Sequence, residues 1–322
     1  MKLIRVLAIS LVLLPTQTLV AAEKEDFWLT SDALTGLELR GIGPAVSSGR
    51  VSDIAVDPTD HDRIFVTAAS GGVWRTTNAG ATWEPVFDDE GSYSIGCVTI
   101  DPNDPNVVWV GTGENNSQRS VSFGDGVYKS IDGGTTWTNV GLGSSEHIGN
   151  IVVDPRDSNV VWVAAQGPLW RSGGDRGLYR TTDGGATWAR MLHPSDDTGI
   201  AEVRLHPDDP DTIFATAYQR RRHTWTLING GPESGLYKST DGGATWREVT
   251  AGLPDVDTGR MGLCISPVDT DVIYGVLDAA RDEGGFFRST DRGESWEKRS
   301  DHAPGGDYYN EIFCDPADVD RV

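Results

Sequence analysis

One short stretch, QRRRHTW at residues 219–225, groups basic and aromatic residues in a chain that is otherwise rich in acid. Guanidinium groups bind carboxylates through paired hydrogen bonds, and aromatic rings stack on flat or apolar ligand faces. The stretch predicts a site for an acidic peptide or a sugar acid. The alternative is an internal network of salt bridges with the many aspartates. The residues concerned are Arg220, Arg221, Arg222, His223 and Trp225.

Two other segments offer groups for a ligand. Trp170 lies next to Arg171, and an indole face beside a charged donor suits a sugar ring as well as ordinary packing. Glu114, Asn115 and Arg119 form a polar group that fits either a ligand contact or a solvated loop. These segments are long connections, which in a compact domain are commonly functional or mobile.

Other kinds of chemistry have weaker support. Glycoside hydrolysis needs two carboxyl groups about 5 to 9.5 Å apart, and among 48 acidic residues the sequence cannot select the pair. The six histidines lack metal-ligand spacing, and no phosphate-binding loop leads into a helix. Asp-rich stretches such as DPNDP at 101–105 are interpreted as solvated turns. We therefore expect neither a metal nor a cofactor.

The overall charge narrows the class of partner. The chain carries 27 Lys and Arg against 48 Asp and Glu, a formal charge of −21, so its surface repels phosphate backbones and anionic headgroups. Nucleic acid is excluded as an expected partner. A hydrophobic content of 38% over 322 residues is enough for a packed core.

The elements that must position these groups are repeats. An octapeptide ending in tryptophan occurs five times, at intervals of 50 to 58 residues: TTNAGATW, SIDGGTTW, TTDGGATW, STDGGATW and STDRGESW. Three apolar runs separate successive copies, and a short strand follows each copy. Four short strands in about 50 residues predict an all-β fold, a β-propeller of four-stranded blades. The predicted blades are 49–90, 93–142, 147–193, 198–252 and 258–300, with the start of a sixth at 307–322.

The residue types within the octapeptide predict a structural role. An Asp or Asn side chain accepts hydrogen bonds from nearby backbone amides, and the glycine two residues later permits a positive φ. The tryptophan covers the hairpin and the neighbouring blade, a burial that contributes roughly 2 to 3 kcal/mol. The polar residues are Asn78, Asp132, Asp183, Asp241 and Asp291, and the tryptophans are Trp83, Trp137, Trp188, Trp246 and Trp296.

The octapeptide resembles the Asp-box, or bacterial neuraminidase repeat, and the resemblance covers residue 49 to about 322. Asp-boxes occur in sialidases, xyloglucan-degrading glycoside hydrolases, sortilin-like receptors and photosystem assembly factors, so the likeness is specific for the fold and not for function. The whole chain is most similar to secreted bacterial proteins with a sortilin-like N-terminal propeller. This resemblance implies a recognition module that binds peptide or carbohydrate at the channel mouth.

The alternative function is a xyloglucanase-like or sialidase-like glycoside hydrolase. Resemblance to xyloglucan-degrading enzymes implies a catalytic aspartate just before the Gly-Gly of the first blade, but in TAASGGVWR that place is taken by Ala69. The alternative therefore requires the remaining part of a longer protein to complete the catalytic pair.

The N-terminal residues predict export. Lys2 and Arg5 precede an apolar core and small residues, a pattern typical of a signal peptide at 1–22 with cleavage after Ala22. We expect a secreted or periplasmic protein with no membrane span after cleavage. Residues 23–48 are interpreted as an N-terminal arm or as a strand of the last blade.

Two further expectations concern cysteines and chain closure. Cys97, Cys264 and Cys314 lie in apolar runs, which favours buried free thiols; a bridge between Cys264 and Cys314 is the alternative. Five blades and a fraction leave unpaired strand edges. We therefore expect an N-terminal fragment whose remaining blades would be its intramolecular partners.

Overall fold

The structure, a computed structural model, describes residues 49–303, 305–308 and 310–322. The predicted signal peptide at 1–22 and the arm at 23–48 lie outside the described residues. None of the helices in the described ranges is long and apolar enough to cross a bilayer.

In the described residues, five antiparallel sheets follow one another, and each is built from consecutive strands of one repeat. We call these sheets blades 1 to 5. Blade 1 contains β1 (Val51–Val56), β2 (Ile64–Ala68), β3 (Gly72–Thr76) and β4 (Glu84–Pro85). Blade 2 contains β5 (Ile95–Ile100), β6 (Val108–Thr112), β7 (Val127–Ser130) and β8 (Thr138–Gly141). Blade 3 contains β9 (Ile148–Asp154), β10 (Asp157–Ala165), β11 (Gly177–Thr181) and β12 (Ala189–Leu192).

Blade 4 has one strand more than the others. It contains β13 (Thr198–His206), β14 (Asp209–Arg222), β15 (Leu227–Asn229), β16 (Gly235–Ser239) and β17 (Arg247–Val249), with β15 pairing only with the far end of β14. Blade 5 contains β18 (Thr258–Ile265), β19 (Ile273–Ala279), β20 (Gly285–Ser289) and β21 (Glu297–Ser300). Short 3₁₀ helices cover Gly143–Ser145 and Ala280–Asp282. The predicted all-β architecture of four-stranded propeller blades is confirmed.

The hydrophobic core lies between blades. Four buried clusters each contain residues of two successive blades. The pairs are blades 1 and 2, 2 and 3, 3 and 4, and 4 and 5. Trp109 in β6 and Trp162 in β10 are both almost fully buried, and burial of a large side chain contributes about 2 to 3 kcal/mol. The buried apolar side chains of each blade therefore pack against those of its neighbour.

The first strands of successive blades pack side by side and form the innermost layer: β1 against β5, β5 against β9, β9 against β13 and β13 against β18. Glycines permit this close approach. A β-carbon on Gly96 would collide with the carbonyl oxygen of Ile148, and one on Gly149 would collide with that of Ala201. This layer surrounds a central cavity of about 250 Å³.

Side chains, rather than a strand ladder, connect these inner strands. The Asp53 carboxylate accepts from Val98 N at 2.9 Å, and the Glu202 carboxylate accepts from Leu263 N at 2.9 Å. Each bond runs from one blade to the next along the chain. The remaining pairs are joined by Thr99 Oγ1 to Ile151 O at 2.8 Å and by the Asn150 side chain to Val203.

Hydrogen bonds from the turn backbone and hydroxyls to the polar box residue hold each Asp-box turn. In blade 2, Asp132 Oδ1 accepts from Thr136 N at 2.9 Å, and Asp132 Oδ2 accepts from the Thr136 hydroxyl at 2.7 Å. Asp183, Asp241 and Asp291 repeat these bonds, and in the first box Asn78 Oδ1 accepts from Thr82 N at 2.9 Å. The glycines two residues later have positive φ: Gly80, Gly134, Gly185, Gly243 and Gly293.

These hydrogen bonds stabilise the ionised aspartates. The hydroxyl and amide of Thr136 lower the pKa of Asp132 to about 2. Equivalent threonines lower the pKa of Asp183 and of Asp241 to about 2. Burial opposes the shift at Asp291, but hydrogen bonds from Ser295 outweigh it and the pKa is again about 2.

The box tryptophans also connect blades. Trp137 Nε1 donates to Val86 O of blade 1 at 2.7 Å, and Trp188 Nε1 donates to Val140 O of blade 2 at 2.8 Å. Trp246 instead donates to Gly243 O of its own turn, and Trp296 is 5% exposed. Trp83 of blade 1 is 40% exposed.

The expectation of three free thiols is wrong. Cys264 and Cys314 form a disulfide with a Cα–Cα distance of 5.9 Å, whereas Cys97 is buried and unpaired. The two bonded residues are 50 residues apart, one repeat, and therefore occupy equivalent places in neighbouring units. Burial holds the pKa of the Cys97 thiol well above its usual range.

The segment that the sequence predicts to begin a sixth blade packs against blade 5. Among residues 307–322, those the structure describes form no strand. Asn310 Nδ2 donates to Arg260 O at 2.8 Å and to Val276 O at 3.0 Å, and the disulfide fixes the segment farther along.

Candidate functional site

The candidate ligand residues lie at one end of the blades. In a four-stranded meander, the connections from second to third strand and from one blade to the next share one end, and the Asp-box turns lie at the other. We call the former end the mouth face. It carries the loops 113–126 and 166–176, and the hairpin formed by β14 and β15.

The three consecutive arginines fall on β14, which continues to Arg222. Side chains alternate along a strand, so Arg220 and Arg222 project to one side and Arg221 to the other. Arg220 is fully buried and Arg222 is 8% exposed. A sequence reading that placed these residues in a loop could not assign these directions.

Arg220 and Arg222 hold the loop of blade 2 in place. Arg220 Nη1 donates to Asn116 O at 2.7 Å, and Arg222 Nε donates to Ser117 O at 2.8 Å. From blade 5, Arg260 Nη2 donates to Asn115 Oδ1 at 2.7 Å. These guanidinium groups bind backbone and amide oxygens of the protein, so Arg220 and Arg222 serve as positioning residues.

Arg221 faces a different environment. Its guanidinium binds the Asp197 carboxylate and the Ser172 hydroxyl, and its side chain is 17% exposed. Of the three arginines, Arg221 matches the predicted pairing with an aspartate. Ser172, Asp197 and Arg221 line a cavity of about 210 Å³ beside the hairpin.

The tip of the hairpin presents stacked rings. His223 and Trp225 lie parallel, with ring centroids 5.3 Å apart and an interplanar angle of 10°. His223 N donates to Thr226 O at 2.9 Å and closes the turn. Trp225 is 83% exposed, so one face of its indole is open to a ligand.

The neighbouring loop of blade 3 brings Trp170 and Arg171 to this surface. Arg222 N donates to Leu169 O at 2.8 Å, which joins the hairpin to the loop. Trp170 is 49% exposed, and Arg171 forms an ion pair with Glu146 at 2.8 Å. The two predicted sites are therefore adjacent.

The members of the third predicted group, Glu114, Asn115 and Arg119, lie in different environments. Glu114 is 1% exposed, accepts from Arg50 Nε at 2.9 Å, and also accepts from the Asn116 side chain. Asn115 is buried beneath Arg260. Arg119 is exposed on the same loop. The structure thus separates Arg119 from its two buried neighbours.

Sequence reasoning missed Arg176, which lies under the blade 3 loop. It is fully buried and donates to Gln166 O at 2.8 Å and to Arg171 O at 2.9 Å. Burial, together with the charge of Arg221, lowers the pKa of Arg176 to about 10. Burial also lowers the pKa of Arg220 to about 9, with Arg176 and Arg260 contributing. Both remain protonated at neutral pH.

Carboxylates occupy the other side of the hairpin. Asp257 and Asp278 line a cavity of about 420 Å³ between β15 and blade 5. Burial raises the pKa of Asp278, whose Oδ2 accepts from Asn229 Nδ2 at 3.3 Å. Ala69 is fully buried where resemblance to the xyloglucan-degrading enzymes implies an aspartate. The described ranges contain no group of three or more His, Cys, Asp or Glu residues arranged to hold a metal ion.

Comparison with known proteins supports the propeller assignment. The pattern of the Sortilin-Vps10 family, described as sortilin, neurotensin receptor 3, matches residues 125–253. A xyloglucanase from a Paenibacillus species is 26% identical over 270 residues, which cover 74% of this chain and 23% of the enzyme. The chain thus spans about a quarter of the length of this curated relative.

Solved structures show the same fold. The Niastella koreensis GH74 enzyme superposes with a TM-score of 0.61 at 18% identity, covering 84% of this chain and 43% of the enzyme. YCF48 bound to D1 peptide superposes with a TM-score of 0.52 at 14% identity, covering 84% of this chain and 74% of YCF48. The chain is an Asp-box β-propeller that resembles the sortilin N-terminal domain.

Proposed function

We propose that this Asp-box β-propeller is an exported recognition module that binds carbohydrate across its mouth face. The observation that supports this proposal is the distribution of open aromatic rings. Of the seven exposed aromatic side chains in the described residues, five lie on mouth-face connections: Tyr93, Phe123, Trp170, Trp225 and Tyr308. The other two are Trp83 and Phe313.

Exposed rings favour a sugar ligand because an aromatic face can cover the apolar C–H face of a pyranose while polar groups bind its hydroxyls. At the mouth face, such polar groups stand beside the rings. Ser172 lies two residues after Trp170, and Gln219 and His223 line the cavity next to Trp225. The similarity to xyloglucanases also points toward carbohydrate.

The pairing of arginine with carboxylate around the hairpin leaves a peptide as the alternative ligand. A peptide would bind mainly through backbone hydrogen bonds and charged side chains, and it would depend less on the indole faces. The response of binding to loss of Trp225 and Trp170 therefore distinguishes the two ligand classes.

The proposal is tested by screening the full chain against neutral and acidic polysaccharides and a peptide array. The screen is repeated with Trp225→Ala, Trp170→Ala and the control Trp83→Ala, whose indole lies at the Asp-box end. We expect polysaccharide binding that falls at least tenfold in the first two variants and is unchanged in the control. Binding to peptides alone, or equal binding by all variants, would contradict the proposal.

A glycoside hydrolase is the second candidate, favoured by the xyloglucanase relatives. At the position where the resemblance to xyloglucan-degrading enzymes implies a catalytic aspartate, this chain has the buried Ala69. Release of reducing ends from xyloglucan by the full chain, abolished in Asp278→Asn, would favour this candidate over a binding module. No release over a polysaccharide panel would favour the recognition module.

A further inference from the structure

The cavity beside Arg221 has an unusual charge for this protein. Although the whole chain carries −21, four arginines gather around this cavity and the loop beneath it: Arg171, Arg176, Arg220 and Arg221. Among the residues that line the cavity, Arg220 and Arg221 are cations and Asp197 is the carboxylate. Arginines thus outnumber carboxylates in the lining of this cavity, although the whole molecule is acidic.

Hydrogen-bond donors are also in excess. Arg220 and Arg221 both line the cavity, and within the described part of the chain the Nε of each has no hydrogen-bond partner. A buried donor without an acceptor destabilises the protein, and a charged acceptor compensates best. Arg220 is fully buried, so its positive charge attracts an anion in the cavity without direct contact. Arg221 is partly exposed and is the arginine that a ligand can contact.

Aromatic residues around the cavity favour anions that carry a ring. The His223 ring lines it and stacks on Trp225, which is 83% exposed. Trp170 is on the loop that is joined to the hairpin through Leu169 O. A ligand that places a carboxylate in the cavity would have its adjoining ring within reach of these aromatic faces. A pyranose that bears a carboxylate has this combination of groups.

We propose that the cavity lined by Ser172, Arg221 and His223 binds the carboxylate of a uronic acid residue, and that the mouth face recognises an acidic glycan. This inference rests on the proposed carbohydrate-binding function and names its ligand class. The Asp197 carboxylate binds Nη2 of the Arg221 guanidinium. The ligand carboxylate and Asp197 both bind that guanidinium, and the repulsion between the two carboxylates lowers the affinity for the ligand.

The test uses the full chain and two probes with the same sugar backbone, one charged and one neutral. These are an oligogalacturonate and the same oligosaccharide with its carboxylates methyl-esterified. Titration calorimetry at low salt is expected to show binding of the free acid at least tenfold tighter than binding of the ester. Affinity for the acid should fall as sodium chloride is added, because exposed charges are screened.

Matched variants locate the site. Arg221→Gln is expected to weaken binding of the acid at least tenfold, and Asp197→Asn, which removes the competing carboxylate, is expected to strengthen it. Arg299→Gln makes the same change in net charge on β21 and should have no effect. The opposite signs expected for Arg221→Gln and Asp197→Asn keep the test decisive even if one variant is less stable.

Several outcomes would overturn the inference. Equal affinity for acid and ester would exclude a uronate site while leaving carbohydrate recognition in place. Binding of neither probe, together with no response to any polysaccharide, would remove the proposed function as well. Arg221-dependent binding of an acidic peptide, without binding of the oligogalacturonate, would assign the cavity to a different ligand class.

Discussion

Asn150 of blade 3 binds both backbone groups of Val203 in blade 4: its Nδ2 donates to the carbonyl oxygen and its Oδ1 accepts from the amide, each at 2.9 Å. A single side chain thus replaces a pair of strand-ladder bonds between two inner strands. Asp53 and Glu202 make the corresponding one-sided bonds elsewhere in the innermost layer.

Replacement of Asn150 with alanine should destabilise the propeller by about 2 kcal/mol, because two hydrogen bonds of about 1 kcal/mol each are lost at a half-buried position. Urea unfolding of the full chain measures this change. Asn159→Ala removes an exposed amide that bonds only within its own turn and should alter the free energy of unfolding by less than about 0.5 kcal/mol. Equal effects of the two variants would contradict the assigned role.

The four box aspartates predict acid sensitivity. Each has a pKa of about 2 in the folded protein, below the value near 4 of an unfolded chain. Their contribution to stability is therefore complete above about pH 4 and is lost as the pH falls toward 2. Thermal unfolding between pH 7 and pH 2 should show the melting temperature falling most steeply in this range.

The first box supplies the control for that experiment, because Asn78 accepts the same backbone bond without titrating. Asp183→Asn should fold and should show a smaller loss of melting temperature below pH 4 than the natural chain. An unchanged pH profile, in this variant and in one with all four aspartates replaced, would mean that other carboxylates cause the acid response.

The disulfide should stabilise the segment after blade 5. We expect reduction, or Cys314→Ser, to lower the free energy of unfolding by about 2 to 4 kcal/mol. Denaturant unfolding with and without dithiothreitol measures the difference. A Cys264→Ser, Cys314→Ser double variant should not respond to the reductant. If the natural chain and the double variant change equally in stability with dithiothreitol, the bond is not formed in solution.

The partly buried Trp188 and the exposed Trp225 should differ in their effect on stability. Trp188 donates to Val140 O and packs on Trp109 with a centroid distance of 6.4 Å, so Trp188→Ala should cost about 3 kcal/mol. Trp225 is 83% exposed, so Trp225→Ala should leave the free energy of unfolding within about 0.5 kcal/mol. Chemical denaturation of both variants checks the pair, and a large loss for Trp225→Ala would mean that the hairpin tip is structural.

Local chemistry explains why the blades could be predicted from sequence. The turn around Asp183 needs only residues within four positions of it, and its pattern is complete in TTDGGATW. Contacts between blades carry no such local pattern. The link from Arg220 to Asn116 spans 104 residues, and the sequence could not show that β14 continues through Arg222. The Cys264–Cys314 bond could have been predicted from the sequence, because a 50-residue separation equals one repeat.

Every strand ladder described here stays within a single blade. Contact between blades depends on apolar surfaces, the box tryptophans, a few polar side chains and single backbone hydrogen bonds such as that from Arg222 N to Leu169 O. In such nearest-neighbour architectures, stability behaves as a sum over units and their junctions. Pulling on the two ends of the chain should therefore detach one sheet after another, and the force required at each step should reflect the junction being opened.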